Sequence, residues 1–287
     1  MTRLTVVGAG TMGHGIAQVG AIAGCDTVVT DARAEALDAA LARVRANLEG
    51  AVQRGKLTAD EAEAALGRIT LVPDVETAAR DADFVVEAII EDLEAKRQLF
   101  STLDDLVASD AVLATNTSSL SVTQIAGATK RPGRVLGMHF FNPVHIMKLV
   151  ELVVHRGTDE ATLGRAKHMV VQMGKHPVVV QDSPGFASSR LGVVLGLEAM
   201  RMVEAGVATA EDIDKAMELG YGHPMGPLKV SDLVGLDVRL AIADYLHREL
   251  KGAHYAAPEV LRRKVQAGEL GKKTGKGFYE WPTKKPS

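Results

Sequence analysis

Cysteine is almost absent from this chain: Cys25 is the only one among 287 residues. A single thiol excludes an internal disulfide and a cysteine zinc cluster, and it favours a reducing compartment. Aromatic residues make up only 4% of the chain, so few side chains could stack on nucleic-acid bases. The formal net charge of -3 gives no general attraction to nucleic acid or to anionic membranes. We therefore expect a cytoplasmic protein with no nucleic-acid partner and no membrane partner.

Long hydrophobic runs are also missing, since none approaches the roughly 20 residues needed to span a bilayer. The N-terminal stretch that ends in "AIAGC" superficially resembles an export signal. His14 and Gln18 interrupt that stretch, and its many glycines disfavour a helical core. None of the nine histidines stands in an H-x-x-x-H or H-x-H spacing, so we expect no metal site.

Short apolar segments that alternate with helical patterns fill the first two thirds of the chain. "LTVV", "DTVVT", "DFVVEAI", "AVLAT" and "RVLGMHF" are the clearest of these segments. Uninterrupted apolar strands between helices predict an α/β fold of the Rossmann type, with a doubly wound, mostly parallel sheet. Beyond "DSPGF" only helical patterns remain, which predicts an all-α C-terminal domain. The predicted domains are residues 1–183 and 184–287.

One helix of the predicted second domain is apolar on nearly every side. It spans residues 187–204 and carries eight apolar side chains, Leu191, Val193, Val194, Leu195, Leu197, Met200, Met202 and Val203. A helix that is apolar all round must be buried, and a domain of about 100 residues has little interior to bury it in. We therefore expect this helix to form a subunit interface in a homodimer.

A glycine-rich turn follows the first strand and opens the next helix. "GAGTMG" places Gly8, Gly10 and Gly13 at the G-x-G-x-x-G spacing, with Thr11 and Met12 inside the turn. The spacing predicts a tight turn at the first glycine, close approach of a pyrophosphate at the second, and close packing of helix on strand at the third. Asp31, which ends the second strand, would accept hydrogen bonds from ribose hydroxyls and repel the 2′-phosphate of NADP. NAD is therefore the expected cofactor. NADP stays an alternative, because nearby Arg33 could accommodate its 2′-phosphate.

The segment "NTSSLSVTQ" lies after another predicted strand. Ser121 and Gln124 match a capping box for the helix that follows. Ser118 and Ser119 are then spare hydroxyls at the carboxyl end of a strand, where open α/β sheets bind their ligands. One of the two is predicted to belong to a site. A hydrolase nucleophile is disfavoured because no G-x-S-x-G surrounds either serine.

Six motifs occur in a fixed order that spans almost the whole chain. They are "GAGTMG", "NTSSL", "GMHFFNP", "KLVEL", "HPMGP" and "GKGFYEW". In this order they resemble the L-3-hydroxyacyl-CoA dehydrogenase family, and in particular its short bacterial 3-hydroxybutyryl-CoA type. The resemblance implies NAD-dependent oxidation of an (S)-3-hydroxyacyl-CoA to the 3-oxoacyl-CoA, with an acyl-CoA as substrate.

The resemblance places the catalytic pair on His139 and Glu151 and the substrate-contacting serine on Ser118. The chemistry is sound, because oxidation of a secondary alcohol needs an acceptor for the hydroxyl proton. A neutral imidazole can accept it near pH 7, and a carboxylate behind the ring stabilises the imidazolium that forms. A lone histidine in an apolar stretch is more often structural, so the assignment depends on its two partners.

Further residues follow from the resemblance alone, each with a simpler alternative. Glu91 and Lys96 match contacts to the nicotinamide ribose but could belong to a solvated helix start. Asn116 and Asn142 match cofactor contacts, although Asn-Pro is also common in turns. Arg54 and Lys56 match cations for the CoA phosphates or are ordinary exposed cations at a helix end. The lysines near the C-terminus, Lys272, Lys273 and Lys276, are expected in a solvated tail.

Ser189 departs from the family pattern. The family has "PGFxxNR", whose asparagine contacts the substrate carbonyl, whereas this chain has "PGFASSR". A serine hydroxyl is shorter but can still donate one hydrogen bond, so we include Ser189 among the catalytic positions. Loss of one polarising donor would cost about 1–3 kcal/mol if nothing replaces it. The departure therefore predicts slower turnover or a changed acyl-chain preference.

Two other functions remain open on the sequence. The same machinery could oxidise a free hydroxy acid or sugar acid, as in gulonate-oxidising relatives, which would not need cations for CoA. A dinucleotide-binding protein that has lost catalysis is the second, although Ser118, His139 and Glu151 together disfavour it.

Overall fold

The computed structural model of the chain describes residues 1–282. By its internal contacts the chain divides into two compact units, Met1–Ser183 and Pro184–Ser287. Within the described residues, no helix is both long enough and apolar enough to cross a membrane.

The first unit is built on one eight-stranded sheet, which confirms the predicted Rossmann-type, mostly parallel architecture. Its strands are β1 (Arg3–Val7), β2 (Asp26–Thr30), β3 (Ile69–Leu71), β4 (Phe84–Glu87), β5 (Val112–Thr115), β6 (Val135–Phe140), β7 (Leu149–Val154) and β8 (His176–Gln181). The spatial order is β3-β2-β1-β4-β5-β6-β7-β8. Every neighbouring pair is parallel except β6 and β7, which are antiparallel.

Helices accompany the strands as the alternating pattern predicts. They are α1 (Gly13–Ile22), α2 (Ala34–Gln53), α3 (Ala59–Gly67), α4 (Val75–Ala79), α5 (Leu93–Leu106), α6 (Val122–Ala126) and α7 (Glu160–Gln172). Ser121 caps α6 by accepting a hydrogen bond from the Gln124 N–H at 3.3 Å, as its spacing indicates. Successive residues of β4 enter different cores, Val85 in one and Phe84 and Val86 in the other, so both faces of the sheet are covered.

The strand order reverses between β1 and β4. The chain runs from β1 outward through β2 and β3, and then returns to β4 on the other side of β1. In open α/β sheets this reversal leaves a crevice at the carboxyl ends of the strands, where ligands bind. The glycine turn after β1 lies at this position.

The second unit contains α8 (Ser188–Glu204), α9 (Ala210–Tyr221), α10 (Pro227–Val234), α11 (Leu236–Leu250) and α12 (Glu259–Gln266). Only part of α8 finds an interior within this unit, and the expected subunit interface stays a prediction. Val193, Leu197 and Met200 are buried in the core of this unit. Of the eight apolar side chains noted above, only Leu191 is mostly exposed, at 70%.

The C-terminal motif "GKGFYEW" folds back onto α10. The carboxylate of Asp232 is fully buried and accepts hydrogen bonds from the N–H groups of Phe278 and Tyr279, each at 3.0 Å. It also accepts one from the indole N–H of Trp281 at 2.8 Å. The motif is therefore a structural clasp of the second unit.

Two of the three nearby lysines form exposed ion pairs, so they are solvated as expected, although the segment is folded rather than a free tail. Lys273 Nζ lies 2.6 Å from the carboxylate of Asp237, and Lys276 Nζ lies 2.8 Å from that of Glu269. Lys272 is exposed. The pairs form because the clasp brings this segment back onto the helices.

Candidate active site

Gly8 and Gly13 of the turn after β1 are each required by close packing, whereas Gly10 has open space around it. Gly8 has φ +104, and a Cβ there would lie 2.5 Å from the carbonyl oxygen of Ala88. A Cβ on Gly13 would lie only 1.7 Å from the carbonyl oxygen of Gly8, so helix and strand pack too closely for any side chain. A Cβ on Gly10 would meet no atom within 4 Å. The open space at Gly10, beside the N-terminus of α1, fits a pyrophosphate.

The carboxylate of Asp31 lies against the same turn. It accepts hydrogen bonds from the N–H of Ala9 at 2.8 Å and from the N–H of Arg33 at 3.0 Å. Arg33 Nε is 3.6 Å from the carboxylate, so this arginine pairs with Asp31. Thr11 is exposed and Met12 is half-buried in the turn itself. The turn and Asp31 together offer what an NAD adenosine and pyrophosphate require, namely backbone donors and a ribose-binding acid.

His139 and Glu151 face each other across the antiparallel pair β6–β7. They are register partners, and directly opposed residues in an antiparallel ladder project to the same face. His139 Nδ1 lies 2.9 Å from Glu151 Oε2, and the two residues are 5% and 1% exposed. The His139 ring also lies 4.5 Å from the Phe141 ring, centroid to centroid. With the Nδ1 proton donated to the carboxylate, Nε2 is the basic nitrogen of the neutral ring.

Ser118 lies in the turn after β5, and Glu91 holds that turn. The carboxylate of Glu91 accepts hydrogen bonds from the Thr117 hydroxyl at 2.6 Å and from the Ser118 N–H at 2.9 Å. Ser118 is exposed, and its hydroxyl has no hydrogen-bond partner within residues 1–282. The backbone at Ser118 is therefore fixed while its hydroxyl can still bind a ligand.

Lys96 is fully buried beneath this turn. Its Nζ lies 2.5 Å from Glu87 Oε1 and 3.4 Å from Glu91 Oε2. The other oxygen of Glu87 accepts a hydrogen bond from the Thr115 hydroxyl at 2.7 Å. The alternative of a solvated helix start is thus wrong for Lys96, whose ammonium pairs with both the buried carboxylate of Glu87 and the carboxylate of Glu91. Sequence reasoning missed Glu87, although an acid inside the apolar strand "FVVE" was the available signal.

The two predicted asparagines lie in different surroundings. Asn116 is buried, and its side-chain oxygen accepts a hydrogen bond from the Phe140 N–H at 2.9 Å. That bond ties the end of β5 to the end of β6, so Asn116 Oδ1 is engaged by the fold itself. Asn142 is exposed in the segment after β6 and precedes a cis peptide bond to Pro143.

Arg54 and Lys56 lie exposed just beyond α2 and make no hydrogen bond or ion pair with the His139 pair or with Ser118 among the described residues. Their positive charges instead affect the pKa of His145. Burial lowers the pKa of His145 first, and the positive charges of His14, Arg54, Lys175 and Lys56 lower it further. Several cations thus share one region of the first unit.

Ser189 lies in the first turn of α8, partly buried within the second unit. Residues 1–282 hold no cluster of three or more histidine, cysteine, aspartate or glutamate side chains that could bind a metal ion.

Comparison with known proteins identifies the family. Residues 3–183 match the model of the 3-hydroxyacyl-CoA dehydrogenase NAD-binding domain, and residues 185–281 match that of the family's C-terminal domain. A 3-hydroxybutyryl-CoA dehydrogenase of Mycobacterium tuberculosis is 48% identical over 281 residues, which cover 97% of this chain and 98% of that protein. The structure of (S)-3-hydroxybutyryl-CoA dehydrogenase from Ralstonia eutropha superposes with a TM-score of 0.94 at 37% identity, covering 99% of this chain and 100% of that one. The chain therefore belongs to the 3-hydroxyacyl-CoA dehydrogenase family and is an NAD-dependent oxidoreductase.

Proposed function

We propose that the protein oxidises short-chain (S)-3-hydroxyacyl-CoA, such as 3-hydroxybutyryl-CoA, to the 3-oxoacyl-CoA with NAD. The observation that carries this proposal is the 2.9 Å contact between His139 Nδ1 and Glu151 Oε2 in a buried position. A histidine oriented and charge-balanced in this way is suited to accept a proton near neutral pH. The short acyl chain is supported by the names of the relatives given above.

NAD fits the turn after β1, where Gly8, Gly10 and Gly13 leave backbone donors accessible and Asp31 offers an acceptor. When bound, its nicotinamide supplies the acceptor for a hydride. Asn142 is proposed to contact the carboxamide end, and the Glu91–Lys96 pair the ribose next to it. Asn116 is proposed to act on that region indirectly, because its hydrogen bond with the Phe140 N–H fixes the end of β6.

The proton follows a separate path from the hydride. As the C3–H bond of the substrate breaks, the hydroxyl proton passes to His139 Nε2 and the C3–O bond becomes a carbonyl. The imidazolium that forms lies directly against the carboxylate of Glu151, which stabilises it in a site with little water. The Ser118 hydroxyl donates a hydrogen bond to the substrate oxygen and holds it in line for transfer.

CoA recognition is proposed for the cationic region near His145. Arg54 and Lys56 are exposed there, and after burial their positive charges help to lower the pKa of His145. A phosphate-bearing substrate would be attracted by such a field, whereas a small free hydroxy acid would gain little from it. This difference separates the proposed activity from oxidation of a free acid.

Ser189 is proposed to donate one hydrogen bond to the substrate carbonyl in place of the family asparagine. The helical second unit is proposed to carry the contacts of a homodimer. Leu191, Leu219 and Tyr221 are 70%, 84% and 79% exposed, and they offer apolar area for that contact. A cytoplasmic location agrees with the single cysteine.

The test is an NADH-coupled screen of (S)-3-hydroxyacyl-CoAs of increasing length beside free hydroxy acids. We expect turnover with the short CoA esters and a raised KM for them when Arg54→Ala and Lys56→Ala are combined. Arg43→Ala, an exposed arginine on α2, is the matched control and should leave KM unchanged. Preferential turnover of free acids, or equal KM values in all three proteins, would refute the CoA assignment.

A further inference from the structure

Lys175, between α7 and β8, is a buried cation that forms no ion pair within residues 1–282. It is 5% exposed, and its pKa is lowered to about 8, first by burial and then by the positive charge of Lys148. Lys96, which is also buried, instead pairs with the carboxylates of Glu87 and Glu91. A buried charge without a counter-charge lowers the stability of a fold, so Lys175 calls for a reason other than stability.

The ammonium of Lys175 supplies hydrogen-bond donors to the turn that follows β6. Its Nζ donates to the carbonyl oxygen of Val144 at 2.5 Å and to that of Met147 at 2.7 Å. No backbone N–H of residues 1–282 donates to either oxygen. The turn also closes on itself, because the carbonyl of Pro143 accepts from the N–H groups of Ile146 and Met147 at 3.0 and 2.9 Å. Lys175 therefore anchors this turn to the start of β8.

The same turn packs on α1, the helix that follows the glycine turn. The side chain of Val144 is 2% exposed, and a Cβ placed on Gly15 of α1 would lie 2.7 Å from Val144 Cβ. Asn142, proposed above to contact the carboxamide end of NAD, is exposed just before the turn. The backbone at Asn142 is therefore fixed by β6 on one side and by the turn that Lys175 anchors on the other.

We propose that Lys175 is a positioning residue for the cofactor, which anchors residues 143–147 and so holds Asn142 where it meets the nicotinamide end of NAD. The inference rests on the proposed function, which assigns that contact to Asn142. Without the ammonium, two carbonyl oxygens would lose their donor, and the turn would shift to find others. A displacement of about 1 Å at the reacting end of a cofactor can slow transfer about 100-fold.

The test compares the affinities of NAD and ADP-ribose, which lacks the nicotinamide, by calorimetry. Lys175→Met should lower the ratio of NAD affinity to ADP-ribose affinity about 3- to 10-fold, as loss of one hydrogen bond implies. Single-turnover NADH formation with (S)-3-hydroxybutyryl-CoA should slow about 10- to 100-fold. Lys167→Met, at an exposed position on α7, is the matched control and should change neither the ratio nor the rate.

A double-mutant cycle with Asn142→Ala shows whether Lys175 acts through this turn. Asn142→Ala alone should lower the same affinity ratio. The combined variant should lower it by less than the product of the two single effects, because residues that act as one unit are not additive. An unchanged ratio in Lys175→Met overturns the inference, and so do independent effects in the combined variant. A raised KM for the CoA ester with an unchanged ratio also overturns it, and would assign the ammonium to the cationic region near His145.

The affinity ratio is measured without a substrate, so it separates this inference from the proposed function. The proposed function fails on its own if no 3-hydroxyacyl-CoA yields NADH although NAD binds. Lys175→Gln keeps neutral donors on a shorter side chain and should give an intermediate ratio. It replaces the methionine variant if that variant does not fold, and an unchanged ratio in Lys175→Gln then overturns the inference in the same way.

Discussion

Replacing Glu151 with glutamine tests the charge behind the proposed base. Glutamine keeps the shape and one acceptor oxygen, so His139 Nδ1 can still donate its hydrogen bond, but the negative charge is lost. Opposite charges about 4 Å apart attract by about 4 kcal/mol at an effective dielectric of about 20. Both side chains are buried, at 5% and 1% exposed, so water screens this attraction little. Since the attraction exists only once the imidazolium forms, its loss should lower kcat about 1000-fold.

The assay follows NADH absorbance with (S)-3-hydroxybutyryl-CoA, and NAD affinity is measured in parallel. NAD affinity should stay within about threefold of wild type, because Glu151 lies on β7 and the nucleotide turn follows β1. Glu160→Gln, at an exposed position on α7, provides the same chemical change without an effect on kcat. A kcat for Glu151→Gln within about tenfold of wild type would refute the reasoning.

Three further predictions concern stability and cofactor binding. Lys175 is buried, its ammonium donates to two backbone carbonyls, and burial lowers its pKa from 10.5 to about 8. Between these two pKa values the unfolded chain binds one proton more than the folded chain, so the free energy of unfolding of wild type should rise with pH. Relative to Lys175→Met, urea titrations should show a rise of up to about 3 kcal/mol across this window. A difference between the two proteins that does not change with pH would contradict the prediction. Gly13→Ala should lower the melting temperature of the free protein through a clash with Gly8, whereas Gly10→Ala should weaken only NAD binding, and thermal melts with and without NAD distinguish the two. Asp232→Asn places an amide donor against N–H groups of the C-terminal clasp, so it should lower the free energy of unfolding by about 2–4 kcal/mol. An unchanged midpoint of urea unfolding would argue against the clasp.

The sheet and the glycine turn could be predicted because their signals are local. Each strand is a short apolar run that must be covered on both faces, and the spacing of Gly8, Gly10 and Gly13 encodes two close approaches within the protein and one open approach for a ligand. The capping role of Ser121 is local in the same way. Steric and hydrogen-bonding requirements within one turn fix the residue types at short spacings, so they can be recognised in the sequence.

The pairing of His139 with Glu151 could be proposed only through the family resemblance. The residues are twelve apart, and their contact depends on β7 running antiparallel to β6 in one particular register. A shift by one residue would place Glu151 on the opposite face of the sheet. Neither the direction nor the register of β7 follows from its apolar composition.

The buried ion pair beneath the site was out of reach for another reason. Lys96 lies in the first turn of the amphipathic helix α5, where a lysine is normally solvated. Its partner Glu87 is the last residue of β4, a separate element. Long-range partners decide whether such a charge is buried. The exposed ion pair of Lys273 with Asp237 likewise depends on long-range contacts, because the C-terminal clasp brings the two residues together.

The most direct test of the central claim is a single-turnover measurement on His139→Ala. Enzyme saturated with NAD is mixed with (S)-3-hydroxybutyryl-CoA, and the first NADH formed is followed before any product leaves. If His139 takes the hydroxyl proton, NADH formation should slow by about 100- to 10,000-fold while NAD affinity is retained. NADH formed at the wild-type rate by this variant would show that the proton leaves by another path, and the account would be wrong.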